Sequence, residues 1–190
     1  MFPLKELAIE TIRTPRKAAE KILALQFRSE VTWTALALVA VLNALLFSAS
    51  ITLLETRDGI VSGFNLPFLY LALMVAAMVI GSMVLTWIGR VMGGRATLMQ
   101  LLPLVIWLQA LRAAAQLGVI VLIMILPGLA DMVSLVIGLY GLWILANFID
   151  VAQGWSSLGK SIVSMLIAGF GFAFGLSLFL LLIGAGGTGF

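Results

Sequence analysis

The sequence predicts an all-α fold: a polytopic membrane helix bundle with five transmembrane helices, preceded by an N-terminal amphipathic helix. Three observations carry this. The 190 residues are 63% apolar and only 10% charged, where soluble domains run near half and a quarter. Mean hydropathy is +1.20. The few charges are also unevenly placed, so that long apolar stretches lie between them. Such stretches cross a bilayer as helices, because about 20 apolar residues span the hydrocarbon core with every backbone group bonded internally. The predicted organisation is an arm over 1–30, a transmembrane domain over 31–184 and a short flexible tail over 185–190.

The arm mixes Lys5, Arg13, Arg16, Lys17, Lys21 and Arg28 with Glu6, Glu10, Glu20 and Glu30. No continuous apolar stretch precedes Val31, so no signal peptide is expected. Within 14-TPRKAAEKILALQF-27, Thr14 is placed to cap a helix and Pro15 suits its first position. Ala18, Ala19, Ile22, Leu23 and Phe27 then share one side, with Arg16, Lys17 and Lys21 mostly on the other. That division fits a helix in the headgroup region, its cations on anionic lipid. The alternative is a solvated helix packed on the protein's own loops.

The spans follow in order. The first lies in the 24 uncharged residues between Glu30 and Glu55, and the second runs from about Pro67 to Gly89. The third lies between Pro103 and Pro127, interrupted by Arg112; Asp131 and Asp150 bracket the fourth; the fifth runs from about Ser161 to Ile183. Counting Lys and Arg in arm and loops on alternating sides gives nine against one. The positive-inside rule therefore expects a cytoplasmic arm and an opposite C-terminus. Trp33, Trp87, Trp107, Trp143 and Trp155 fall mostly near span ends, as interface anchors do.

Two patterns mimic nucleotide sites. The stretch 154-GWSSLGKS-161 fits the phosphate loop, and 184-GAGGTG-189 fits the dinucleotide fingerprint. The first needs a strand feeding a helix, with a carboxylate for magnesium; here it follows the end of an apolar span. Its residues read as a helix connection, with Ser156 or Ser157 starting the last helix and Lys160 anchoring it. The second needs a helix after its last glycine, yet one residue remains. No nucleotide, nucleic acid or cofactor is expected. With no His and no Cys, thiol chemistry, imidazole bases and the usual zinc ligands are absent too, and no remaining residues have the spacing of a recognisable catalytic set.

Polar residues inside the spans are the candidate site. Gln109, Arg112 and Gln116 share one face of the third span by their three- and four-residue spacing, beside Ala110, Ala113, Ala114 and Ala115. An Arg midway through a span costs about 2.5–3.5 kcal/mol on insertion scales, so it is expected to face protein or water. In a structural reading it pairs with Asp150 or Asn147, bonds backbone carbonyls or snorkels to the surface. In a functional reading it meets a lipid phosphate, a substrate or a partner carboxylate. The structural reading is preferred. Asn43 is assigned an interhelical hydrogen bond, and Gly171 and Gly175 a close-packing face, inside the bundle or against a second copy.

Three stretches carry a resemblance: 13-RTPRKAAEKILALQ-26, 93-GGRATLMQLLPLVIW-107 and 139-LYGLWILANFIDVAQGWSSLGKSI-162. Through them the chain resembles, over nearly its whole length, the bacterial branch of the Yip-one (Ypt-interacting protein) domain family. The resemblance implies a cytoplasmic N-terminus, five spans, a short tail on the far side, and a non-enzymatic job of organising membranes or proteins. The family's eukaryotic members interact with small GTPases in vesicle trafficking. Their long N-terminal cytosolic region and their aspartate-leucine-tyrosine-glycine-proline motif have no counterpart here, so that role is not carried over. The expected function is an adaptor, accessory subunit or membrane-organising factor that binds lipids, other membrane proteins or itself. A small carrier or lipid-translocating protein, using the polar stripe of the third span, is the alternative.

Overall fold

A computed structural model describes residues 4–58 and 67–182. The chain forms α1 (Leu4–Arg13), α2 (Pro15–Ala24), α3 (Ser29–Asp58), α4 (Pro67–Val91), α5 (Leu98–Ile125), α6 (Pro127–Gln153) and α7 (Leu158–Leu182). No strand occurs among the described residues. The five long helices, α3 to α7, are each long and apolar enough to cross a membrane. The expected tail, 185–190, lies outside the described residues.

The helices run past the limits that charge alone set. With 28 residues, α5 is about 42 Å long, against about 30 Å of hydrocarbon. Charged residues mark where the hydrocarbon stops, but backbone bonding carries a helix on into the headgroups. Pro103, placed at a span end by the sequence, sits inside α5. The helix starts a turn earlier because Thr97 and Gln100 form a capping box: the Gln100 side chain accepts the Thr97 N–H at 2.9 Å.

α5 is the centre of the bundle, packing on α3, α4 and α6, while α7 packs on α4 and α6. The buried layer against α3 and α4 is Leu36, Val39, Met78, Leu102 and Ile106. A second layer joins α4, α5, α6 and α7 through Leu85, Ile88, Leu101, Ile149 and Ala168. Outward, Leu38, Leu45, Val121, Leu135, Leu166 and Phe170 are exposed apolar side chains of the spans. Lipid is the solvent that suits such a surface.

The arm is two helices rather than one. α1 escaped the sequence reading because its charges are dense, and only Leu7 and Thr11 are buried. Thr14 occupies the N-cap position of α2 with Pro15 next, as expected, but its hydroxyl donates to the Glu10 carbonyl at 3.3 Å instead of capping. Much of the arm's apolar face packs on the bundle, with Phe27 left 40% exposed. Leu7, Ala18, Ala19 and Ile22 form one buried cluster with Leu104 of α5 and with Ile144 and Phe148 of α6.

Candidate functional site

One end of the bundle gathers the arm, the α4–α5 connection and the α6–α7 connection. Asp150, in the last turn of α6, is fully buried. Its Oδ2 accepts from Arg16 Nη1 of α2, and its Oδ1 accepts the Ser157 N–H at 2.6 Å. One carboxylate thus ties the arm, the end of α6 and the start of α7. Arg16 keeps 45% of its side chain exposed, so only the anion is desolvated. Two further bonds hold α1: Trp107 Nε1 donates to Thr11 Oγ1 at 2.9 Å, and Tyr140 Oη donates to the Ile12 carbonyl at 2.5 Å.

Gln153 is the second tie. It is 1% exposed; its Oε1 accepts the Ala96 N–H at 3.0 Å and its Nε2 donates to the Leu85 carbonyl at 3.1 Å. Its own carbonyl accepts the Arg95 N–H at 3.1 Å. The amide fits because Gly89 and Gly94 stand where any side chain would overlap it: a Cβ on Gly89 would lie 1.8 Å from Gln153 Nε2.

These ties also account for the phosphate-loop pattern. Gly154 ends α6 with a positive φ of 70°, its N–H on the Asp150 and Val151 carbonyls. The Trp155 N–H goes to the Asp150 carbonyl, and the Ser157 N–H to the Asp150 carboxylate. Ser157 precedes α7, and its carbonyl accepts from Lys160 and Ser161. The N–H groups of Gly154, Trp155, Ser157, Lys160 and Ser161 are bonded within the chain, and the loop follows a helix, not a strand.

What remains at this end is mostly cationic, with Glu6, Glu20 and Glu30 exposed among the cations. Lys17, Lys21, Arg28, Arg90, Arg95 and Lys160 are all exposed, and Lys21 also meets Glu10 at 2.6 Å. An exposed pair of that kind adds little stability. Trp33 and Trp87 stand exposed on the same ends of α3 and α4, as an aromatic belt requires.

The intramembrane candidates separate. Gln109, Arg112 and Gln116 do share a face and line one cleft of about 550 Å³ with Asn43, Ser50 and Tyr70. Arg112 does not pair with Asp150 or Asn147. Asp150 is held by Arg16, and Asn147 donates to the Trp143 carbonyl of its own helix at 2.8 Å. Arg112 has no hydrogen-bond or ion-pair partner among the described residues. Nor does Asn43 bond across helices: it donates to the Val39 carbonyl at 2.8 Å. The interhelical bond belongs to Gln116, whose Nε2 donates to Ser50 Oγ at 3.2 Å.

Gly171 and Gly175 form no close-packing face among the described residues of this chain, which leaves the second copy as the other partner expected for them. A Cβ on Gly171 or Gly175 would meet nothing within 4 Å. α7 turns instead its Ser161, Ser164 and Ala168 face inward; both serines are fully buried. Their three- and four-residue spacing was the signal to read, since small polar residues permit close approach as glycines do.

The architecture and the docked arm together define a helical integral membrane protein whose charged work is concentrated at one membrane surface. The chain belongs to the Yip1 domain family, whose model matches residues 9–181, from within α1 to the end of α7. No match is found among curated proteins or solved structures.

Proposed function

We propose that this Yip1-family membrane protein is a non-enzymatic membrane-organising adaptor that holds lipids and companion membrane proteins at the cytoplasmic face of a bacterial inner membrane. The observation that carries this is the clamped arm. Arg16–Asp150, Trp107–Thr11 and Tyr140–Ile12 fix it on the bundle, and its outer face keeps Lys17, Lys21 and Arg28 exposed. A fixed cationic face with loop cations beside it is attractive to anionic headgroups at about 1 kcal/mol per charge. The Lys and Arg distribution supports a cytoplasmic position for that face and the opposite side for the C-terminus.

Purification from native membranes in a mild detergent, followed by mass spectrometry of what stays bound, tests this reading. A stoichiometric membrane-protein companion is expected, and its retention should fall when Lys17 and Lys21 are changed to Gln. A chain that purifies without any protein companion contradicts the adaptor role. The carrier reading draws on one observation, that the polar stripe opens on a cleft. Against it, all five spans run as continuous helices, whereas carriers commonly break helices at mid-membrane.

A further inference from the structure

We infer that the cleft between α3, α4 and α5 is a binding site for an anionic amphiphile, with Arg112 receiving its carboxylate or phosphate. This goes beyond the surface role proposed above and does not depend on it. Arg112 lies near the midpoint of α5, about 20 Å along the helix from either end and, for a centred span, about 15 Å from either edge of the hydrocarbon. That is farther than its side chain reaches, so it does not relieve the cost of its charge by snorkelling. Among the described residues no protein anion relieves it either, and its best candidate, Asp150, is committed to Arg16. An exposed guanidinium at this depth therefore calls for an oxyanion from outside the chain.

The lining says what carries that oxyanion. Around Arg112 stand the amides of Gln109, Gln116 and Asn43; the Asn43 and Gln116 amide nitrogens are engaged with Val39 and Ser50, which fixes their orientation. Next to them the wall is apolar: Leu46, Leu73, Met74 and Phe172, with Phe47 and Tyr70 stacked at 3.9 Å between ring centres and 4° between planes. A volume near 550 Å³ falls in the usual range for small-molecule sites. A free small anion would leave the apolar wall unused, whereas an acyl chain fills it and enters from the surrounding lipid.

The test uses the purified full-length chain in nonionic detergent, with bound molecules counted by native mass spectrometry. The probes are oleate, short-chain phosphatidylglycerol and, separately, inorganic phosphate. One amphiphile should bind saturably per chain, oleate or phosphatidylglycerol showing which head is preferred, and inorganic phosphate should not displace it. Arg112→Gln should weaken binding at least about tenfold, Arg112→Lys should weaken it less, and Lys17→Gln with Lys21→Gln should leave it unchanged. Should Arg112→Gln fail to fold, Ala77→Trp narrows the cleft with Arg112 in place and should give the same loss. Unchanged binding in Arg112→Gln or in Ala77→Trp, loss that follows the arm variant, or displacement by phosphate alone would overturn the inference.

Discussion

Asp150 and Arg16 form an unequal pair, and the inequality decides what their loss does. The carboxylate is fully buried while the guanidinium is about half in solvent. Arg16→Gln therefore strands a buried anion with only the Ser157 N–H for support, a change that costs up to about 3–5 kcal/mol in buried pairs. Asp150→Asn removes that anion, leaves Arg16 solvated and keeps an oxygen for Ser157. Its cost should be near that of one lost charged hydrogen bond, about 1.5–3 kcal/mol. Thermal unfolding in detergent should therefore rank Arg16→Gln as the more destabilised; the reverse order contradicts the clamp. Gln153 and Gly89 are coupled in the opposite sense. Gly89→Ala expels the Gln153 amide and orphans the Ala96 N–H, at about 1–3 kcal/mol, while the Leu85 carbonyl loses its second donor and keeps its bond within α4. Gln153→Ala removes the same two bonds, so the double variant should cost clearly less than the sum of the two. Additive shifts in unfolding temperature would show that the amide is not seated against Gly89.

Among the elements, those that answer to the bilayer were legible in the sequence and those that answer to tertiary contact were not. A span must be apolar for about 20 residues whatever it packs against, so the five spans could be located from charges alone. Gln109, Arg112 and Gln116 were placed on one face because helical periodicity alone decides that. Which face meets which neighbour is a different question. Gly171 and Gly175 satisfy the close-packing pattern, but the pattern carries no direction, and α7 is turned by Ser161, Ser164 and Ala168 instead. The amphipathic arm had two possible customers for one apolar side, lipid or bundle, and its moment is the same for both. Asp150 lies 134 residues from Arg16, and nothing local to either names the other. Gln153 looked like an ordinary helix end because its partners, Leu85 and Ala96, belong to other elements.

At the scale of the whole molecule, the bundle is asymmetric along the membrane normal. One end holds the arm, the Asp150 and Gln153 ties and most of the cations; the cleft around Arg112 lies deeper, at mid-height of α5. The arm is docked on the bundle, and the side of the membrane proposed for it is cytoplasmic. Because the chain has no Cys, single cysteines report this directly. Lys17 is exposed on α2 and Ala19, two residues on, is fully buried against α6 and α5. Lys17→Cys and Ala19→Cys should both resist a membrane-impermeant maleimide in intact cells. After the membrane is permeabilised, Lys17→Cys should label and Ala19→Cys should stay protected. Equal labelling of the two after permeabilisation would mean the arm is not docked, and labelling of Lys17→Cys in intact cells would place it on the wrong side of the membrane.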